Sequence, residues 1–467
     1  MEPKRVVFIY TTVIVLSALA VACNQAPNTA ATISPQQTAA LSQPPLSPSP
    51  TCAAIDYQSP IPLFGLSIDG YPYQMASADF NGDGLMDIFL AMNTWPSADV
   101  EKIEILLNDG NGSLVKATND IFVGTVPSTQ HPRHTILADF NGDGITDIFI
   151  ADHGQDVAPW PGYHNILVLS APDGKLVDYS ANIPQQPDYS HSAAYADIDD
   201  DGDFDLYIGN TGGEAGIPPE VWLNDGSGNF IVAEGRLPPE QIDLGLNVYT
   251  ASAFADVNND NTPDLILGGI ETTLDSVVLL NDGAGYFSLY KDALPAKPIS
   301  PESIAAFIKP ADIDGDPFID LIISYALGWG TATTWQGRYL QILINNGDGT
   351  FRDETETRLP QTENNNTWVQ EIALYDIDHD GDLDITTKHV ENFGVLQPYY
   401  LNTGGGIFCE PNTLHRFMHK HTHLYNFIDL DGDGGLDSVS IMRDGRVYIS
   451  RDLGCRVEIS QSDECLP

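Results

Sequence analysis

The chain has 467 residues, 42% of them apolar and 9% aromatic, with 65 acidic against 20 basic side chains for a formal charge of −45 at pH 7. That is enough apolar content for one large domain or two to three ordinary ones, and it excludes a disordered acidic chain. Phosphate binding needs a basic stripe, so the balance argues against nucleic acid as a partner and for bound cations or an acidic extracellular surface. With 41 glycines and 32 prolines the chain is rich in turns, as all-β architectures are.

Residues 1–22 read as a signal peptide. Lys4 and Arg5 form a basic n-region, Val6 to Ala22 is apolar, and Ala20-Val21-Ala22 stands just before Cys23. Leu19-Ala20-Val21-Ala22-Cys23 resembles a bacterial lipobox, with Ala20 where leucine is usual; the resemblance implies that Cys23 is lipidated and becomes the new N-terminus. Plain secretion after Ala22 and an uncleaved anchor are the alternatives, although 17 residues are short for a span. Cysteine parity favours the lipid anchor. Without Cys23, the five cysteines leave an even set, Cys52, Cys409, Cys455 and Cys465, suited to disulfides in an oxidising compartment. Asn24 in place of aspartate after that cysteine favours a cell-envelope location in the outer membrane. Residues 23–51 carry Pro, Ser, Thr, Gln and Ala with no charge and form a tether.

Residues 52–467 are a repeat domain. One nine-residue pattern, D-x-[DN]-x-D-G-x-x-D, recurs seven times at spacings of 53 to 64 residues. The first two copies are Asp79, Asn81, Asp83, Asp87 and Asp139, Asn141, Asp143, Asp147. Then come Asp197, Asp199, Asp201, Asp205 and Asp256, Asn258, Asp260, Asp264. The last three are Asp312, Asp314, Asp316, Asp320; Asp376, Asp378, Asp380, Asp384; and Asp429, Asp431, Asp433, Asp437. Short apolar runs flank each copy, and a third run ends in a glycine turn such as Asn108-Asp109-Gly110-Asn111-Gly112. Runs of four to seven residues between Gly, Asn and Pro are strands, and Asn-Asp-Gly turns suit tight hairpins. Four strands per copy, seven times, predict a seven-bladed β-propeller with an acidic loop between strands 1 and 2 of each blade. Closure into a ring brings the chain ends together, so Cys52 and the cysteines of the last blade are placed to staple it; three pairings stay open.

Side chains at positions 1, 3 and 5 of a tight loop converge, and hard oxygen ligands suit Ca²⁺. Position 7 offers a backbone carbonyl and the aspartate at position 9 two further oxygens. An EF-hand needs glutamate at position 12 and flanking helices; here position 12 is Leu90, Ile150, Ile208, Leu267, Ile323, Thr387 and Ser440, inside predicted strands. The loops, each followed by a strand and an N-D-G-x-G hairpin, resemble the FG-GAP/VCBS repeat of integrin α-subunit propellers and many bacterial envelope proteins. The resemblance covers about residues 70–460 and implies a propeller with Ca²⁺ in the strand 1–2 hairpins. Asn261 at position 6 of the fourth loop tolerates positive φ. Pro317 at that position of the fifth loop does not, which puts the fifth site in doubt.

In a four-stranded blade, connections 1–2 and 3–4 share one face, and the longer 2–3 and 4–1 connections share the other. Trp95, Trp160, Trp329, Trp335 and Trp368 fall in or beside the longer ones, while Trp222 sits in a strand. Flat rings in loops suit sugar faces or protein hot spots, and the same rings also pack between blades. His131, His134, His153, His164, His191 and His389 lie toward this face, as does the run His415, His419, His421, His423, whose last three at alternate positions suit zinc or copper on a strand. Three functions follow as expectations. The first is a Ca²⁺-stabilised, lipid-anchored module that binds a glycan or cell-surface protein with the loop face. The second is a propeller enzyme, a polysaccharide lyase or hydrolase, using groups such as His131, His134 and Asp152. The third is a purely structural envelope component.

Overall fold

The computed structural model describes residues 54–57, 60–94, 96–211, 214, 216–239, 249–269, 275–296, 303–327, 337–360, 368–390, 399–409 and 422–457. The signal peptide and tether, Cys23, Cys52, Cys465, Trp95, Trp329, Trp335, His415, His419 and His421 lie outside the described residues.

Each acidic repeat opens one antiparallel sheet. In the first blade the inner strand Pro72–Ala78 pairs with Asp87–Met92, then Glu104–Asn108, then the outer strand Leu114–Lys116. Blades two to six repeat the order from inner strands Pro132–Ala138, Ser190–Ala196, Tyr249–Ala255, Ile304–Ala311 and Trp368–Tyr375. The second blade gains a fifth strand, Phe122–Val123, in parallel pairing. The seventh blade runs Thr422–Ile428, Asp437–Met442, Arg446–Ser450, and takes its fourth strand from the N-terminal side of the domain, Ile61–Ser67. Inner strands of blades one and seven touch, which closes a seven-bladed propeller. A two-stranded sheet of Ala54–Tyr57 with Asp452–Val457 joins the ends again. Cys409 is disulfide-bonded.

Burial follows the blade layering. The second strand of the first blade is buried along its whole length, because both of its faces are covered by neighbouring blades. The core therefore lies between blades: Phe89 and Ile105 of the first pack with Ile148, Ile150 and Val168 of the second. Outer strands are short and carry exposed apolar residues such as Ile231, as edges that recruit no further strand do.

All seven inner strands share one irregularity. Their register against the second strand slips once near the start, leaving Tyr73, Arg133, His191, Thr250, Ala306, Gln370 and His423 as the extra residues. A β-bulge re-aims a side chain, and here seven of them form one ring around the central channel.

Candidate functional site

The acidic loops are shaped by their own backbone. In six of the seven, Oδ2 of the position-1 aspartate accepts the position-6 N–H at 2.7–3.1 Å, for example Gly84 to Asp79 and Asn261 to Asp256. Position 6 has φ between 69° and 96° in those loops, so glycine or asparagine is required there. The position-9 aspartate is buried and ties two strands together. In the first six blades its Oδ2 accepts the position-2 N–H, and its Oδ1 accepts a backbone N–H at the end of the third strand, at 2.7–2.9 Å. Burial lifts these carboxyls, Asp87 to about 7 and Asp384 to about 8. Both oxygens expected to grip a metal thus already hold backbone N–H groups, and a metal would share them.

The asparagine that opens the glycine turn sews neighbouring blades. Asn108, Asn224, Asn281, Asn345 and Asn402 each donate from Nδ2 to the position-2 carbonyl of the preceding blade's acidic loop, at 2.8–3.1 Å. Three arginines add a second stitch. Arg236, Arg358 and Arg451 approach Asp199, Asp314 and Asp431 of their own blades and donate to Ala284, Gly405 and Gly112 in the next blade's turn.

The donor chemistry fits a hard cation. One oxygen from each of Asp197, Asp199 and Asp201 lies within 4.8 Å of the others, and the same holds for Asp312, Asp314, Asp316, for Asp429, Asp431, Asp433, and for Asp376, Asp378, Asp384. In the third loop Oδ1 of Asp199 and Oδ1 of Asp203 are shut from solvent without a hydrogen-bond partner. Burial and the neighbouring Asp201 raise Asp203 to about 6. Unpartnered carboxylate oxygens crowded this way call for positive charge. Ca²⁺ would be held there by Asp197, Asp199 and Asp201. Asp79, Asn81, Asp83; Asp139, Asn141, Asp143; and Asp256, Asn258, Asp260 offer mixed amide and carboxylate sets. The fifth loop differs at Pro317, which has no N–H for Asp312; its Arg358, 3.0 Å from Asp314, stands much as Arg451 does at 3.2 Å from Asp431 in the seventh.

On the opposite face the predicted residues separate. Trp160 is 47% exposed and held in positive φ, with its N–H on the Val157 carbonyl. Trp368, expected to meet a ligand, is instead buried beside Ile304 and Ala326, because it belongs to an inner strand rather than to the loop before it. Trp222 is buried in its strand. His131, His153 and His191 converge with Tyr73 and Tyr189; His153 stacks on Tyr189 at 4.4 Å and meets His131 edge-on at 4.4 Å. Burial keeps all three imidazoles well below their ordinary value. One nitrogen of His131, one of His153 and an oxygen of Asp156 lie within 4.8 Å of one another, and the Tyr189 hydroxyl donates to Asp156 at 2.6 Å. Asp152, named above for catalysis, is a structural acid: its oxygens accept the N–H groups of Gln130, His131 and Gly154 at 2.7–2.9 Å. His423, one of the alternating histidines, is buried and donates from Nε2 to the Pro72 carbonyl at 2.7 Å.

The channel holds groups that no motif marked. Arg133, Lys309, Lys388, Gln370 and Glu371 line connected cavities of about 200 and 250 Å³. Their signal in the sequence is only that Arg133, Lys309 and Gln370 sit on inner strands of an acidic protein, with Lys388 on the second strand beside Glu371.

A family model described as an FG-GAP-like repeat matches residues 79–150, 139–208 and 312–387. No curated protein matches the chain. Among solved structures, the crystal structure of BBS1N in complex with ARL6DN, soaked with lead, is 9% identical, covers 85% of this chain and 97% of its own, and has a TM-score of 0.45. The same complex soaked with mercury is 10% identical, covers 88% and 99%, and has a TM-score of 0.44.

Proposed function

We propose that this FG-GAP-repeat propeller is a Ca²⁺-braced binding module, held on a bacterial envelope by a lipidated Cys23, that engages a glycan or cell-surface protein through the face opposite its acidic loops. The observation that carries the reading is the division of labour between faces. One face is consumed by intramolecular ties, position-1 aspartates to their own loops and asparagines to the preceding blade. The other presents Trp160 to solvent from the connection between the second and third strands of the second blade, and Tyr73 meets His131 and Arg133 at the strand ends. An exposed indole on a fixed turn offers a flat apolar surface at low entropic cost, which suits the face of a sugar ring or a protein hot spot.

Trp160→Ala tests this on a glycan and cell-surface array. The reading expects loss of the captured ligand with an unchanged melting temperature; undiminished capture would refute the face assignment.

A catalytic reading has one observation in its favour. Neutral imidazoles, two tyrosines and the Arg133 guanidinium meet at the channel mouth, a set able to neutralise a sugar carboxylate and move a proton. New absorbance from an unsaturated product on incubation with uronate polysaccharides would select it.

A further inference from the structure

The channel interior has the opposite electrostatic character to the rest of the protein. The chain carries −45 overall, yet inner strands bring Arg133 and Lys309, and the second strand of the sixth blade brings Lys388, to adjoining cavities that share Thr135, Glu371 and Ala373. Lys388 is paired, with Glu371 at 3.4 Å, and donates to the Tyr73 carbonyl. Arg133 bonds the Tyr73 hydroxyl at 3.5 Å and the His191 ring at 3.1 Å, both neutral groups, and pairs with no carboxylate among the described residues. Among the described residues the Lys309 ammonium makes no hydrogen bond or close ion pair, and the carboxylate that acts on it from a distance is Glu371. In a protein with three acids for every base, three cations gathered around the single carboxylate of Glu371 leave spare positive charge among the described residues.

The polar groups beside them are also spare, and mostly donors. Gln370 is 6% exposed, lines the cavity, and has neither amide atom hydrogen-bonded. The Thr135 hydroxyl is likewise buried without a partner. His134 accepts the Ala193 N–H at Nδ1, so its Nε2 carries the proton and is a further donor. Burial, with Lys309 and Lys388 nearby, lowers its affinity for a second proton to about 4. A buried amide with both ends unsatisfied costs stability unless something occupies it. Among the described residues Glu371 is the only carboxylate lining this cavity, and Lys388 pairs with it.

We propose that the channel is a binding site for a small oxoanion, a carboxylate or sulfate, held by Arg133 and Lys309 with Gln370, Thr135 and His134 donating around it. The bulges explain how the site is built: they turn Arg133 and Gln370, the extra residues of blades two and six, out of the strand alternation. The cavity of about 200 Å³ admits a sulfate or a small dicarboxylate whole, or the charged end of an acidic sugar. The inference shares Arg133 with the loop-face reading but does not depend on it: Trp160 has no part in the anion site, and Lys309, Gln370 and Thr135 have none in the loop face.

Calorimetric titration of the soluble domain, in excess Ca²⁺ and at constant ionic strength with chloride as control, tests it with sodium sulfate, sodium succinate and a glucuronate oligosaccharide. Saturable binding of sulfate or succinate identifies a free anion as ligand, and binding of the oligosaccharide alone identifies the end of a glycan; either supports the site. Lys309→Met should weaken binding at least about tenfold, the equivalent of about 1.4 kcal/mol. Glu371→Gln should strengthen it severalfold, a gain that misfolding could not mimic. Absence of saturable binding by all three probes, or binding indifferent to both substitutions, would overturn the proposal.

Discussion

Removal of divalent metal is the sharpest perturbation of this fold. In the third loop Asp197, Asp199 and Asp201 place oxygens within 4.8 Å of one another. At that distance, in surroundings close to water, each like-charge pair costs about 0.9 kcal/mol, so one loop carries about 3 kcal/mol of repulsion. With the fifth loop left out, the three such clusters that would lose an ion bring the total to about 8 kcal/mol. Binding thermodynamics gives a similar figure. A site with a dissociation constant of about 0.1 mM, within the range of extracellular modules, contributes about 1.8 kcal/mol at about 2 mM free Ca²⁺, and six such sites about 11 kcal/mol. For a domain of about 400 residues, 10 kcal/mol corresponds to a fall in melting temperature of about 12 °C. Calorimetry with Ca²⁺, with chelator and with Mg²⁺ substituted should show that fall and its reversal by Ca²⁺ alone. The bound-ion count should be six, since Pro317 denies the fifth loop the position-6 N–H and positive φ of the others; Pro317→Gly should raise it to seven. A melting curve that moves by less than about 1 °C in chelator, from protein containing no metal, would refute the reasoning, because the repulsion would then be absent or met by protein groups.

Two further outcomes are expected. Asn224→Ala strips the Phe140 and Phe204 carbonyls of a buried donor and the Asp225 and Gly228 N–H groups of an acceptor, so it should cost about 3 kcal/mol in urea unfolding, whereas exposed Asn111→Ala should cost under about 0.5. Burial lowers His423 to about 4, below the roughly 6.5 of an unfolded imidazole, so the native state keeps it neutral while the unfolded chain takes up a proton. Stability from this group is intact above about pH 6.5 and lost toward pH 4 at up to about 1.4 kcal/mol per unit, and His423→Gln should flatten the acid limb of the urea midpoint.

The ring was legible because its signals are local. Seven acidic loops at a near-constant interval and a glycine turn after each third strand state the blade without reference to any other blade, and Pro317 marks the irregular loop by its own geometry. The roles that escaped the sequence are those set by distant partners. Nothing near position 9 says that Asp205 will be spent on the Ile198 and Asn224 N–H groups, and nothing near Arg451 points to Gly112, 339 positions away. Trp368 reads as the junction of a loop with its strand, and only its packing on Ile304 and Ala326 of the neighbouring blade shows that the ring is buried. The channel cations are missed for the same reason: Arg133 and Lys309 are isolated in sequence and meet only where strands of different blades converge.

The order of synthesis sets a problem for the seventh blade. Ile61–Ser67 is made before any blade exists, yet its hydrogen-bonding partner is Arg446–Ser450, made last. At typical translation rates of about 5–20 residues per second the first segment waits roughly 20 to 80 seconds for its mate. During that interval it is an apolar ribbon open to the wrong neighbour, and Pro62 and Gly65 interrupt it where an unbroken run would recruit another chain. Nascent copies crowded on one messenger could exchange this ribbon, so the latch that completes a single toroid is also the place where two toroids would become linked.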